Sequence, residues 1–296
     1  MPDLTGLAVF WGCRALAGDA ALELSVRSLL RALELGFEDL QPQACCGEPL
    51  RSISMAASAY MAVRIMAQAA SAGHDTVLFP CSKGYFMARW ALDLISRSGE
   101  ARDAVSKALS AEGLSLEKLS RPLDLVGLIY EALGPEGLRK KAERLLGLDV
   151  ALHPGCYLLR NLPGTGEGLE RLAEARELLS AVGVRAPSYP GMADCCGGSL
   201  HQARPDAALT LAGSKLKSAS EAGLGCLVVF CPSCFEMLDL RQDEALSAVG
   251  MKKKIPVLYF SQLLGLSLGL GPRELGLGFN RSPVEELGLR RHVSLP

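Results

Sequence analysis

The sequence predicts an α/β fold in two pseudo-symmetric halves, each a largely parallel sheet with flanking helices. Short apolar runs alternate with helical patterns throughout. That alternation recurs at an offset near 150 residues, and one cysteine pattern is present in both copies. The copies are residues 1–147 and 148–296, with the boundary near Gly147.

The elements follow in order. The runs from Leu7 to Cys13 and from Val150 to Cys156 are apolar and end in Gly-Cys, as buried strands that hand a cysteine to a loop. Helical periodicity follows in Leu22, Val26, Leu29, Leu30 and Leu33, and again in Leu169, Leu172, Ala175, Leu178 and Leu179. Next come the loops carrying Cys45-Cys46-Gly47 and Cys195-Cys196-Gly197. Second helices run through 55–70 and 205–219 and close at Gly73 and Gly223. The β-rich runs Thr76 to Phe79 and Leu227 to Phe230 lead into Cys81 and Cys231. Each copy ends in a strand and helix, Pro122 to Tyr130 and Pro256 to Leu264. Residues 90–120 are expected to be a helical elaboration, and the Gly-rich tail from Gly271 to lie against a partner or be loosely ordered.

Composition narrows the classes of function. A chain of 296 residues can bury a full core without cross-links. A formal charge of -1 gives no long-range field for nucleic acid or an anionic membrane. The first residues, Met1 to Thr5, lack a secretory signal, so a cytoplasmic location, where thiolates persist, is expected. The apolar stretch from Val257 to Leu270 is short of the roughly 20 residues that span a bilayer, so no direct membrane span is expected.

The cysteine spacing carries the chemistry. Cys13 precedes Cys45-Cys46 by 31 intervening residues, and 34 more separate Cys46 from Cys81; Cys156 precedes Cys195-Cys196 by 38, and again 34 separate Cys196 from Cys231. The second copy continues to Cys234, where the first has Gly84. Adjacent cysteines suit a cluster whose separate irons each take one thiolate. Five thiols exceed the four that ordinary iron-sulfur clusters use. Zinc, which favours compact chelating pairs, and vicinal disulfides are the alternatives; the latter leave the repeated spacing of 34 unexplained.

This arrangement resembles the CCG-domain (cysteine-rich domain) family, whose members include the heterodisulfide reductase B subunits. The resemblance covers nearly the whole chain. Cys156, Cys195, Cys196, Cys231 and Cys234 fill the family motif; Cys13, Cys45, Cys46 and Cys81 fill all of it but the last place. It implies a non-cubane 4Fe-4S cluster on each complete motif and a disulfide substrate between two such clusters, with no protein nucleophile. The four-thiol site interrupted at Gly84 is left open between a modified non-cubane cluster, a conventional cluster, a two-iron cluster and zinc, or an iron open to substrate or to a nonprotein ligand.

Other residues are weaker. Cys226 lies outside the pattern and reads as an inert buried thiol. His153 and His201 read as hydrogen-bonded loop histidines or as proton donors to a product thiolate; Lys83 reads as a solvated lysine or a counter-charge to a cluster. Lys252, Lys253 and Lys254 mark an exposed turn. The glycines from Gly164 to Gly168 lack a nucleotide fingerprint, so flavin or nicotinamide binding in this chain is not expected. No residue is assigned as catalytic.

The leading expectation is an oxidoreductase subunit resembling heterodisulfide reductase, reducing or reversibly forming a disulfide. The resemblance implies a ferredoxin-like iron-sulfur subunit and a flavoprotein subunit as partners, with any membrane attachment made through them. The alternative is a non-catalytic electron-transfer or anchoring CCG subunit of a succinate dehydrogenase-like or glycolate/lactate oxidase-like complex.

Overall fold

A computed structural model describes residues 6–160 and 167–287. In the first half, β1 (Leu7–Val9), α1 (Gly12–Leu16), α2 (Ala20–Ala32) and β2 (Glu38–Asp39) precede α3 (Met55–Ser71) and β3 (Thr76–Phe79). Then come α4 (Ser82–Arg97), α5 (Gly99–Ser110), β4 (Arg121–Asp124), α6 (Leu125–Ala132) and α7 (Gly134–Lys141). The second half runs β5 (Leu148–Asp149), β6 (Ala151–His153), α8 (Gly155–Leu159), α9 (Glu167–Ala181), β7 (Val184–Arg185) and α10 (Pro205–Glu221). It closes with β8 (Leu227–Val229), α11 (Pro232–Phe235), a π-helical turn at Glu236–Leu240, α12 (Gln242–Ala248), β9 (Val257–Tyr259) and α13 (Phe260–Ser267).

All strand pairs are parallel. The first sheet has the order β2-β1-β3-β4, and the second has β6-β8-β9. Strand β7 pairs with β5, and Val150 N–H continues that pairing to Arg185 O at 2.9 Å, so the order of the first sheet is reproduced. Even the register repeats: Ala8 faces Val77, and Ala151 faces Leu227. The central strands β1, β3, β6, β8 and β9 are buried along their length, as expected where helices cover both faces of a parallel sheet.

Local sequence explains the helix limits. Asp19 caps α2 by accepting from Leu22 N–H at 3.2 Å, and Ser54 caps α3 by accepting from Ala57 N–H at the same distance. The alanine-rich α3 presents small side chains to the sheet, where Ala59, Ala62, Val63 and Met66 are fully buried.

The halves are interleaved. Helix α13, which ends the second copy, packs on α2 of the first, while α6 and α7 of the first pack on α9 of the second. Ser25 Oγ and Ser261 Oγ hydrogen-bond at 2.7 Å across one contact, and Tyr130 donates to Glu177 at 2.7 Å across the other. One buried apolar cluster accordingly runs from Leu7 to Leu275.

The structure corrects several expectations. Cys13 and Cys156 stand inside the short helices α1 and α8 rather than in loops. The helical elaboration starts at Ser82, because α4 begins directly after Cys81. The described part of the tail, to residue 287, packs on its own chain: Leu275 is fully buried, and Asp239 accepts from the N–H groups of Arg281 and Ser282. Of the run from Gly164, residues 164–166 lie outside the described residues, as do Met1 to Thr5; Gly168 stands in the first turn of α9, where a Cβ would lie 2.6 Å from Leu159 O. The lysines at 252 and 253 are exposed, as expected.

Because α2 is roofed by α13, a cavity at Leu29, which is fully buried, weakens both halves together. Leu29→Ala is expected to cost about 2–5 kcal/mol. Denaturant unfolding followed by tryptophan fluorescence, which reports only the first half, and by circular dichroism should shift by the same amount.

Candidate metal centre

Parallel strands end at one edge of a sheet, and the segments carrying the nine patterned cysteines leave that edge. Cys81 and Cys231 follow β3 and β8 by two residues; Cys13 and Cys156 ride the helices that begin just after β1 and β6. The paired cysteines are delivered by loops pressed against α3 and α10. Gly47 and Gly197 make this approach possible: both have left-handed backbones, at φ +82° and +80°, and a Cβ would lie 2.7 Å from Ser58 O and 2.5 Å from Ala208 O.

Each half then builds the same thiol triplet. Hydrogen bonds from Cys13 and Cys46 hold the Cys45 thiol far below its ordinary pKa, and Gly47 N–H adds a contact at 3.4 Å. Cys156 and Cys196 act in the same way on Cys195, with Gly197 N–H at 3.3 Å. In the second half the chain of thiols runs on, from Cys196 to Cys234 and from Cys234 to Cys231. Cys231 is held low by hydrogen bonds from Cys234 and Cys81. Cys81, grouped by sequence with the first set, is thus where the two sets meet. Beside it, Ser82 N–H donates to Phe230 O at 3.2 Å, tying the strand ends of the two halves together.

None of the nine patterned cysteines is in a disulfide, and all converge on this region. The donors are soft sulfur, suited to iron-sulfur or zinc and unsuited to hard cations. A second observation also points to a bound group. His153, at the end of β6, is fully buried, its ring nitrogens make no hydrogen bond of ordinary geometry to a described residue, and its ring lies with the Cys196 and Cys234 sulfurs inside a 4.8 Å cluster. An orphaned imidazole is costly unless something fills the space before it. Burial first, then the positive charge of Lys215, pushes His153 down to about 3, so it is neutral. It ends a strand rather than standing in a loop, contrary to expectation.

Two largely buried lysines face the thiols. Lys83 is not a solvated lysine: its side chain is 17% exposed, it pairs with Glu48 at 3.2 Å, and it stands over the Tyr157 ring. Burial opposes its charge, but Cys231 and Glu48 outweigh burial and raise its pKa. Lys215, 2% exposed on α10, donates to Gly191 O and to Met192 O. Burial pushes it down to about 8 against the pull of Asp194 and of Cys234, Cys196 and Cys195. Cys226 is fully buried away from these thiols, with its sulfur 3.7 Å from Leu227 O, and burial raises its pKa.

A cavity of about 840 Å³ opens on the first set. Its thiols are Cys13, Cys45, Cys46 and Cys81; no cysteine of the second set lines it. Residues 198–205 and 232–241 supply the opposite wall, where His201 lies with its Nδ1 buried and unpartnered. The charged lining is Arg14, Arg51, Lys83 and Arg241 against Glu48 and Glu236, an excess of cations. Glu48, Arg51 and Lys215 carried no sequence signal, because only the topology brings them to the thiols.

Residues 7–87 and 150–239 each match the cysteine-rich CCG domain. The chain belongs to the CCG cysteine-rich domain family. It is 30% identical over 283 residues to the B subunit of the ferredoxin:CoB-CoM heterodisulfide reductase of Methanosarcina mazei, with 93% of each chain covered. Identity is 27% over 286 residues to the 8-methylmenaquinol:fumarate reductase membrane anchor subunit of Wolinella succinogenes, covering 95% of this CCG chain and 98% of that one. Among solved structures, a hypothetical protein from Helicobacter pylori shares the fold with a TM-score of 0.74 at 15% identity; the alignment spans 94% of this chain and about half, 52%, of the other.

The glycine contacts separate two costs. Gly223 has φ +72° with open space around it, so Gly223→Ala should cost about 1–2 kcal/mol for the left-handed backbone alone. Gly197→Ala adds a clash with Ala208 O and displaces Cys196. It should lower the denaturation midpoint further and reduce metal retention, which Gly223→Ala should leave intact. Equal losses in both variants would contradict this.

Proposed function

We propose that this chain is the iron-sulfur subunit of a heterodisulfide-reductase-like complex that reduces, or reversibly forms, a disulfide or related sulfur compound. Its immediate support is the cavity: a substrate-sized space floored by the thiols of one set, which touch the second set through Cys81 and Cys231. Cys156, Cys195, Cys196, Cys231 and Cys234 would hold a non-cubane 4Fe-4S cluster. Cys13, Cys45, Cys46 and Cys81 would hold a second, four-thiolate iron-sulfur group. When bound, such groups supply single electrons and thiophilic iron.

Cleaving a disulfide to two thiols takes two electrons and two protons. The electrons would come from a ferredoxin-like iron-sulfur subunit and, behind it, a flavoprotein subunit. Among the described residues no helix is long and apolar enough to cross a membrane, so membrane attachment would run through a partner.

The chain's own side chains orient and neutralise. Arg51, whose guanidinium stacks over Phe86 and Trp90, and Lys83 present positive charge to the cavity, favouring a disulfide with anionic substituents. Glu48 accepts from Tyr157 OH at 2.5 Å and from Lys83, and so holds that wall in place. Lys83 and Lys215 offset the negative charge that clustered thiolates concentrate.

A second reading has one specific support, the similarity to a fumarate reductase membrane anchor subunit. There the chain would relay electrons or anchor a partner without turning over a disulfide.

The reconstituted chain, given a reduced viologen as one-electron donor, should reduce anionic disulfides. Cys13→Ser and Cys81→Ser should abolish that activity. Arg51→Met should raise KM about tenfold, equivalent to about 1.4 kcal/mol, for an anionic disulfide and leave a neutral one unaffected. A loaded chain that reduces no disulfide yet passes electrons to a flavoprotein would favour the second reading.

A further inference from the structure

The two halves match residue for residue around their thiols, so each serves as the control for the other. In the second sheet His153 faces Val229. In the first, Phe10 N–H donates to Leu78 O at 2.9 Å and carries the β1-β3 register on to Phe79. Gly84 follows Cys81 by three residues as Cys234 follows Cys231. Three positions therefore change together: His153, Val229 and Cys234 in the second half correspond to Phe10, Phe79 and Gly84 in the first.

Their side chains occupy the same space. In front of Gly155, Cys234 Sγ lies 3.3 Å from where a Cβ would be and His153 Nε2 lies at 3.9 Å. In front of the matching Gly12, among the described residues within 4 Å, stands the ring edge of Phe10, with Cε1 at 3.5 Å. Phe10 packs on Phe79 with ring centroids 5.4 Å apart, and both are buried. A Cβ on Gly84 would sit 3.2 Å from Phe79 Cδ1, closer than comfortable carbon contact.

We infer that Phe10 and Phe79 close the fifth ligand position of the first site, so that its four-thiolate set is a built feature rather than a site that has merely lost a cysteine. This deepens the iron-sulfur reading above and rests on it. Gly84 is small because Phe79 fills the volume, and a thiol restored there meets an aromatic wall where Cys234 meets a space shared with His153. The aromatic pair also lines the cavity, giving the first site an apolar flank that excludes water beside the four sulfurs.

The test uses the anaerobically reconstituted full chain, with iron content, Mössbauer and EPR spectra, and iodoacetamide-reactive thiols counted in the native protein. Gly84→Cys alone should leave both spectra unchanged and add one reactive thiol, since position 84 borders the cavity. The combined variant Phe10→His, Phe79→Val and Gly84→Cys should change the first site's spectrum toward that of the second and add no reactive thiol. The pair Phe79→Val and Gly84→Cys should change it in part, and serves if the triple variant does not fold. A spectral change with Gly84→Cys alone, or none in the folded multiple variants, would overturn the inference. Chains that bind no iron at either site would instead refute the iron-sulfur reading, and this inference with it.

Discussion

The constraint on which the rest of the molecule depends is the meeting of two strand ends at Cys81 and Cys231. A backbone hydrogen bond from Ser82 to Phe230 and a thiol contact between the two cysteines join the copies there. A parallel sheet projects its loops from one edge, so two such sheets bring their cysteines together only when those edges face each other. The exchange of helices secures that relation: α13 covers α2, and α6 covers α9. The fold places soft donors from distant parts of the sequence within one small volume.

Concentrating thiolates costs electrostatic energy, and the structure offsets it locally. Lys83 and Lys215 approach the thiols from opposite halves, each on its own helix, and each is kept near the sulfurs by hydrogen bonds or an ion pair. Backbone N–H groups after Cys45 and Cys195 supply further positive ends. His153, buried and neutral, differs in kind. Neither ring nitrogen makes a hydrogen bond of ordinary geometry to a described residue, and a group held among Cys196, Cys234 and the ring would satisfy it.

Much of this was legible in the sequence, for physical reasons. Buried parallel strands such as Thr76–Phe79 leave short β-branched and aromatic runs that end abruptly at Pro or Cys, and the strand limits match the pattern. Glycine after each cysteine pair is a loop signal that allows backbone shapes other residues resist, and Gly47 and Gly197 do adopt left-handed backbones. What stayed hidden depends on tertiary proximity. Nothing local announces that Cys81 touches Cys231, that Glu48 reaches Tyr157, or that Lys215 on α10 points back to the loop at Gly191. Lys83 looked like a surface residue because its neighbours in sequence are polar, and its burial comes from Tyr157 and Glu48, each supplied by another segment. The tail misled in the same way: its glycines suggested looseness, yet Leu275, Asn280 and Ser282 dock on α13 and the π-helical turn.

The central claim is that the thiols of the two halves form two iron-sulfur sites of unequal ligation. Quantitative iron, sulfide and zinc analysis of the anaerobically purified and reconstituted chain, made alongside Cys234→Ser and Cys81→Ser variants, tests it most directly. The account predicts iron with matching acid-labile sulfide, little zinc, and a different spectral component altered by each substitution. A chain that stays free of iron after reconstitution, or that binds zinc alone, would contradict it.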